Sequence, residues 1–380
     1  MDDGAFAGFS EQARRRLPRL FADYIDGGAH GERTMARNRA AFGQWGIVPR
    51  GLRDVSSINL ATQCFGRSWA LPVFLAPLGF AGMFHAHGEQ GAAYAAHKRG
   101  VGMGVSTFSI APMEKVAATG ADLMAQIYVF RDRALTRDML ERARACGMDG
   151  IILTIDTAIT PVRERDMRNG FRHLSRPTAT QMAGLLRHPS WLYGQVRGGA
   201  MPNVGNIAGY TGSRGVMAQA RDVVAQIDAG LDWDDLAWLR ATWGGTLVVK
   251  GIMHPDDAIR AAEIGADGLI ISNHGGRQMD PAPATLDVLP AIAQAVGGRV
   301  DIMLDSGIRR GGDVVAALAL GARAVSIGRP WAWGLAAGGA RGVGLVLDTL
   351  AREISDVMAL AGLPDIAAVR AAGRNALWRF

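Results

Sequence analysis

The chain is predicted to be an α/β protein, a (β/α)8 TIM barrel with N-terminal helices and a long insertion after strand four. Three observations lead there. Short apolar runs alternate with alanine-rich helical stretches, and the runs number eight. Each run is apolar almost throughout, as parallel strands covered on both faces require. An open, doubly wound sheet is the alternative architecture.

The elements follow in order. Between Ser10 and Tyr24, Leu17, Leu20, Phe21 and Tyr24 recur at helical spacing. Pro18 splits that helix and Gly27-Gly28 ends it. A second amphipathic helix spans Glu32 to Phe42. The expected strands are Pro72–Ala76, Gly102–Ser106, Leu123–Val129, Gly150–Asp156, Thr246–Gly251, Gly268–Ser272, Asp301–Asp305 and Ala324–Gly328. Helices are expected at Glu89–Arg99, Leu135–Cys146, Pro255–Ile264, Thr285–Ala295 and Gly312–Leu320. Residues 1–380 thus read as one barrel domain with a helical cap over 1–60. The stretch 157–245 is too long for one crossover helix and reads as an insertion or lid on the catalytic face. Its middle, Met182–Tyr193, holds Leu185, Leu186, Trp191, Leu192 and Tyr193 beside Arg187 and His188. That composition suits a membrane surface, and equally a lid packed on its own barrel or on a neighbouring subunit.

Composition removes other classes. Hydrophobic residues at 49% and charged residues at 20% describe a globular protein with a large core. Fifty glycines against 15 prolines point to tight junctions between elements rather than disorder. The net charge of +6 comes without a basic run interleaved with aromatics, which argues against nucleic acid. The cluster Arg14, Arg15 and Arg16 reads as a solvated helix face. The excess charge suits an anionic substrate, a cofactor phosphate or a membrane surface. Cys64 and Cys146 match no metal or redox spacing, so no metal is expected and a reducing compartment is. Asp2 and Asp3 open a chain without a signal peptide or a membrane-spanning run. A cytoplasmic protein is expected, with peripheral contact to the inner face of the cell membrane through the insertion.

A barrel carries its chemistry at the C-terminal strand ends. Those ends are rich in polar and titratable groups: Pro77 to Gly79, Ser106, Gln126 and Tyr128, Thr154 and Asp156, Lys250, Ser272 to Arg277, Asp305 and Gly307, and Gly328-Arg329. Lys250 is one of only three lysines and closes the apolar run Leu247-Val248-Val249. A buried cation there needs an anionic or hydrogen-bonding partner. Gly307, Arg309 and Arg329, with a helix beginning near Gly312, suit a phosphate held by strands seven and eight. Rim ion pairs are the alternative for both arginines. His274-Gly275-Gly276-Arg277 suits a proton-transfer site beside an anion clamp, the glycines admitting a substrate or ring.

The string Ser-Asn-His-Gly-Gly-Arg-Gln at 272–278, followed by Met279-Asp280, carries a family resemblance. So do Asp305 to Gly311 and Asp23 to Ala29. The chain resembles the FMN-dependent 2-hydroxy acid dehydrogenases and oxidases. The resemblance implies FMN as cofactor and a mandelate- or lactate-like L-2-hydroxy acid as substrate. It implies His274 as the base, with Asp156 stabilising the imidazolium. Arg277 and Arg163 would hold the carboxylate with help from Tyr24, and Tyr128 the hydroxyl. Phe108 would line the substrate pocket and suit an apolar side chain. Lys250 would sit by the flavin N1–C2 carbonyl. Ser106, Gln126, Thr154, Ser272 and the backbone at Pro77 and Gly79 would hold the cofactor, Asp305 the ribityl chain. Gly307, Arg309, Gly328 and Arg329 would take the phosphate.

Thr160-Pro161-Val162 departs from the family pattern ahead of Arg163. Gly79 matches the family's dehydrogenases rather than its oxidases. The insertion, with His188-Pro189-Ser190-Trp191 and Gly205-Asn206-Ile207, resembles that of its membrane-associated members. Electrons are therefore expected to pass to a quinone, with residues 176–215 at the membrane. By analogy with the family the chain forms a homo-oligomer, a tetramer. The alternatives are an oxidase producing hydrogen peroxide, an FMN oxidase of a larger hydroxylated natural-product precursor, a nicotinamide dehydrogenase, and a non-catalytic flavin-binding scaffold. Gly100 to Gly104 lacks the dinucleotide spacing. The His274, Arg277, Lys250 and Tyr128 set argues against a scaffold.

Overall fold

The computed structural model describes residues 3–171, 178–199 and 203–380. Eight parallel strands, Val73–Leu75, Met103–Val105, Leu123–Ile127, Gly150–Thr154, Thr246–Ile252, Gly268–Ile271, Asp301–Asp305 and Ala324–Ile327, close into a barrel in chain order. The barrel and all of its expected strands are present. Most strands stop short of their apolar runs: strand three ends at Ile127 and strand four at Thr154. Tyr128 and Asp156 lie beyond those ends and belong to the rim.

Side chains alternate across a strand, so the barrel interior fills in layers. The inner apolar layer holds Phe74, Met124, Ile152, Val248, Ile270, Met303 and Ala324. Cys64, Phe65 and Trp69 of the hairpin Thr62–Cys64/Arg67–Trp69 pack against it. The Phe65 amide donates to Asp301 at the start of strand seven, so this hairpin covers the N-terminal mouth. Two positions further along every strand but the first, where Ala76 stands, the interior turns polar. Ser106, Gln126, Thr154, Lys250, Ser272, Asp305 and Ser326 are all buried there. Register aligns Thr154 with Lys250 and Asp305 with Ser326. The strand period alone thus builds a polar floor under the C-terminal mouth.

Pro18 does split the first helix, into Ala7–Arg16 and Arg19–Asp26. In the arginine cluster Arg15 and Arg16 are exposed, as a solvated face requires, but Arg14 is half-buried. Arg14 pairs with buried Asp3 at 2.9 Å and Asp26 at 2.6 Å, and Arg16 donates to the Ala337 carbonyl. Trp333 donates to Asp26 at 2.8 Å, so these contacts fasten the N-terminal helices to the C-terminal helix. That helix, Arg329–Leu360, breaks at Gly338 and Gly339. Among the described residues no helix is long and apolar enough to cross a membrane.

The stretch 157–245 contains helices Glu164–Asn169, Ala179–Leu186, Pro189–Arg197, Val216–Val224 and Trp233–Thr242. The last packs beside Pro255–Ile264 and leads into strand five, where a crossover helix belongs. Pro189–Arg197 lies on the barrel rim. Trp191 donates to the Met83 carbonyl at 2.9 Å and Gln195 to Gly82 at 3.1 Å. Met182, Leu186, Tyr193 and Val196 remain exposed. One face of the helix pair thus packs on the barrel, and the other leaves these apolar side chains exposed.

Candidate active site

The loop after strand six is shaped by three consecutive left-handed residues, His274 (φ 58°), Gly275 (66°) and Gly276 (75°). A side chain on Gly276 would run into the backbone of Met35, and one on Gly275 into the Arg329 guanidinium. The two glycines thus answer to backbone twist and close packing, a need distinct from admitting a ligand. His274 pays the conformational cost that its neighbours avoid, which marks a position held for its side chain.

His274 Nδ1 lies 2.9 Å from Asp156 Oδ1. Asp156 fits there because Gly251 has no side chain to meet it. Burial pushes the Asp156 carboxyl up, but the charges of His274 and Lys250 outweigh it and hold it below its usual range. Burial likewise lowers the His274 imidazole, more than the Asp156 charge raises it. His274 is therefore neutral near pH 7, with Nε2 available as an acceptor. Tyr128 is pushed up by burial and by the Asp156 charge, so its hydroxyl stays protonated and can donate.

Ser272 organises the floor. Its hydroxyl donates to Asp305 at 2.6 Å and accepts from Lys250 Nζ at 2.9 Å and the His274 amide at 3.0 Å. A hydroxyl has one hydrogen and two lone pairs, so Ser272 is saturated and orients Lys250 and His274. Gln126 and Ser106 support the neighbouring loop: Gln126 Oε1 accepts from the Thr107 amide, and Ser106 Oγ from Phe108.

The residues expected to clamp a carboxylate stand together. Arg163 donates to the Arg277 carbonyl at 3.4 Å and to Gln278 at 3.3 Å. The Arg277 guanidinium lies over the Tyr24 ring at 4.6 Å and donates to the carbonyls of Tyr24 and Gly27. One cavity is bordered by Tyr24, Pro77, Gly79, Lys250, His274 and Arg277, and continues to Asp305, Gly307, Arg309, Gly328 and Arg329. Phe108 and Tyr128 are not part of its lining; their rings lie 5.8 Å apart, and Tyr128 lines another cavity with Thr154.

The far end of this cavity fits a phosphate. Burial, and then the neighbouring Arg277 and Arg309 charges, lower Arg329 to about 9. Burial, and then Arg39, lower Arg309 to about 10. Among the described residues neither pairs with a carboxylate, so the rim ion-pair alternative lacks support. Arg329 spends three hydrogens on the carbonyls of Ile25, Gly27 and Gly275, while Arg309 keeps a buried Nε without a hydrogen-bond partner. Gly307 (φ 88°) packs on the Asn38 carbonyl, which a side chain would strike. Thr154 Oγ1 and Ser326 Oγ are also buried without partners. Buried arginines at one end and unpartnered polar atoms along the floor are a set that would fit the phosphate and the ring of FMN.

Sequence reasoning missed several residues. Ser326 follows Ala324 as Asp305 follows Met303, and that period would have found it. Phe80, Phe84 and Phe171 were also missed. Tyr24 stacks on Phe171 at 4.6 Å, Phe80 meets Phe108 at 5.8 Å, and Phe84 meets Tyr24 at 6.1 Å. Phe171 comes from the insertion, and no local signal ties it to the rim.

The pKa directions fix a pH dependence. A base works when neutral, so kcat/KM should hold its plateau below pH 6.5 and fall only under the lowered His274 value. Asp156→Asn removes the charge that raises His274, so the acid limb should move to lower pH while the plateau drops. A pH profile of kcat/KM checks this, and an acid limb moving upward would contradict it.

A model of the FMN-dependent dehydrogenase family matches residues 13–377. The chain is 43% identical over 365 residues to an L-lactate dehydrogenase of Caulobacter vibrioides, covering 95% of this chain and 94% of that one. It is 41% identical over 362 residues to an L-lactate dehydrogenase of Pectobacterium atrosepticum, covering 93% and 92%. Among solved structures, it matches the monotopic membrane protein (S)-mandelate dehydrogenase with a TM-score of 0.92 and 36% identity over 98% of both chains. It matches a mandelate oxidase with a TM-score of 0.83 and 35% identity over 96% of both chains.

Proposed function

The chain belongs to the FMN-dependent dehydrogenase family and oxidises 2-hydroxy acids to 2-keto acids, and from that premise we propose how its residues divide the work. His274 takes the proton that the substrate gives up, and Asp156 stabilises the imidazolium. The observation that carries this is the pair itself: a half-buried, neutral imidazole 2.9 Å from an ionised carboxylate. Arg277 and Arg163 clamp the substrate carboxylate and fix the α-carbon, which is an orientation effect. The protonated Tyr128 donates to the substrate oxygen.

Arg309, Arg329 and the backbone at Gly307 and Gly328 would hold the FMN phosphate, with Asp305 at the ribityl chain. Lys250, Thr154, Ser106, Gln126 and the backbone at Pro77 and Gly79 would face the ring. FMN, when bound, supplies the acceptor for two electrons. Lys250, held by Ser272, would offer a positive charge to the bound cofactor.

The substrate class follows from the rings. Tyr24, Phe80, Phe108, Tyr128 and Phe171 form a continuous aromatic wall above His274 and Arg277. Such a wall favours an aryl side chain over a methyl group. Burying a ring is worth roughly 1.5–3 kcal/mol, so kcat/KM for L-mandelate should exceed that for L-lactate about tenfold or more. A preference for L-lactate would overturn the side-chain assignment and leave the dehydrogenase chemistry standing.

A quinone is the acceptor this reading favours, reached at a membrane surface. The exposed Met182, Leu186, Tyr193 and Val196 lie on helices beside the catalytic mouth, and a close structural match is a monotopic membrane protein. The expected membrane segment was 176–215, of which 176–177 and 200–202 lie outside the described residues. A homotetramer remains part of this proposal by analogy with the family.

A further inference from the structure

We propose that a second cavity, between helix Pro189–Arg197 and the loop after strand one, docks the head group of a quinone that reoxidises the enzyme. The proposal rests on the reading of the chain as a quinone-reducing dehydrogenase and names the site that reading lacks.

The cavity measures about 310 Å³. Leu17, Phe84 and Trp191 give it apolar faces, and Arg16 and His87 give it hydrogen-bond donors. No carboxylate borders it among the described residues. A quinone head is a flat apolar ring whose two carbonyl oxygens only accept hydrogen bonds. Flat apolar walls with a few converging donors are the complement it needs. Negative charge gathers on those oxygens during reduction, and a cationic rim stabilises it.

Local structure keeps the donors in place. His85 Nδ1 accepts from the His87 amide at 3.3 Å, which leaves its hydrogen on Nε2. That edge of the ring packs on Gly339, where a side chain would come within 2.9 Å of Nε2, so His85 walls the cavity and leaves Arg16 and His87 to offer the donors. Trp191 and Gln195 are fastened to the carbonyls of Met83 and Gly82, so the wall is rigid.

Position argues for an acceptor rather than a stray surface dent. Phe84, in this wall, neighbours Tyr24, in the wall of the catalytic cavity, at 6.1 Å between centroids. The same helix exposes Tyr193 and Val196, an apolar face along which a quinone's hydrocarbon tail can lie. The balance closes. The hydroxy acid loses its Cα–H and O–H hydrogens, two electrons and two protons in all. The quinone's two C=O groups become two C–OH groups and take up the same number.

Gly194 borders the cavity, and a side chain there would meet nothing within 4 Å. Gly194→Leu therefore starts its side chain in open space at the cavity's edge. The holoenzyme variant should be reduced by hydroxy acid, and should reduce ferricyanide, as the unsubstituted protein does. Its KM for a short-chain ubiquinone should rise tenfold or more. A photoreactive azidoquinone should label residues 84–87 or 189–197 of the unsubstituted protein, in competition with plain quinone, and should fail to label Gly194→Leu. His87→Leu, which removes a donor from an exposed position, should raise the quinone KM in the same way. Unchanged quinone kinetics and labelling in both variants would overturn the site. Labelling displaced by phosphatidylglycerol vesicles and not by quinone would assign the cavity to lipid instead. Ferricyanide turnover without any quinone turnover in the unsubstituted protein would sink the acceptor reading itself.

Discussion

His274→Gln should leave the protein yellow and its turnover about 10²–10⁴-fold lower, the usual contribution of a positioned general base. Glutamine keeps much of the side chain's bulk but cannot take up a proton. The His274 ring sits on Asp156 and takes no part in the phosphate end of the cavity, so cofactor retention should survive. The left-handed backbone at 274 belongs to the loop, and its neighbours Gly275 and Gly276 share it. Visible absorption and steady-state kinetics on one preparation check both halves. Full activity in the variant would remove His274 from the base role.

Arg277→Met should lower kcat/KM for the hydroxy acid by a factor of ten or more. A hydrogen bond to a charged group is worth about 1.5–3 kcal/mol, and Arg163 beside it retains part of the clamp. The effect should be far smaller on substrate analogues that lack the carboxylate, because they never used it. Arg277 also donates to the carbonyls of Tyr24 and Gly27, so a purely structural role is the competing account. A loss equal for carboxylate and amide substrates would support that account against the clamp.

The fold was largely legible because parallel strands covered on both faces leave continuous apolar runs. Strand ends were less so. Tyr128 and Asp156 lie within apolar or strand-like stretches, and only closure of the barrel shows where the ladder stops. The residues proposed for catalysis and for the phosphate could be singled out because a rule of the fold sends chemistry to one rim. Ser326 was within reach by the same two-residue period that places Asp305 and Lys250. The aromatic wall was not, since Phe171 reaches Tyr24 through an insertion whose path has no sequence period. Arg14 departed from the expected solvated face for a related reason: the carboxylates that bind it are Asp3 and Asp26, brought to it by the fold.

The most direct test of the account is the visible absorption spectrum of the purified protein, recorded before and after anaerobic addition of L-mandelate, L-lactate and glycolate in turn. The account predicts a flavin spectrum that bleaches with a 2-hydroxy acid, and most readily with L-mandelate. A protein without flavin even after reconstitution with FMN, or a flavin that none of the three acids bleaches, would contradict it.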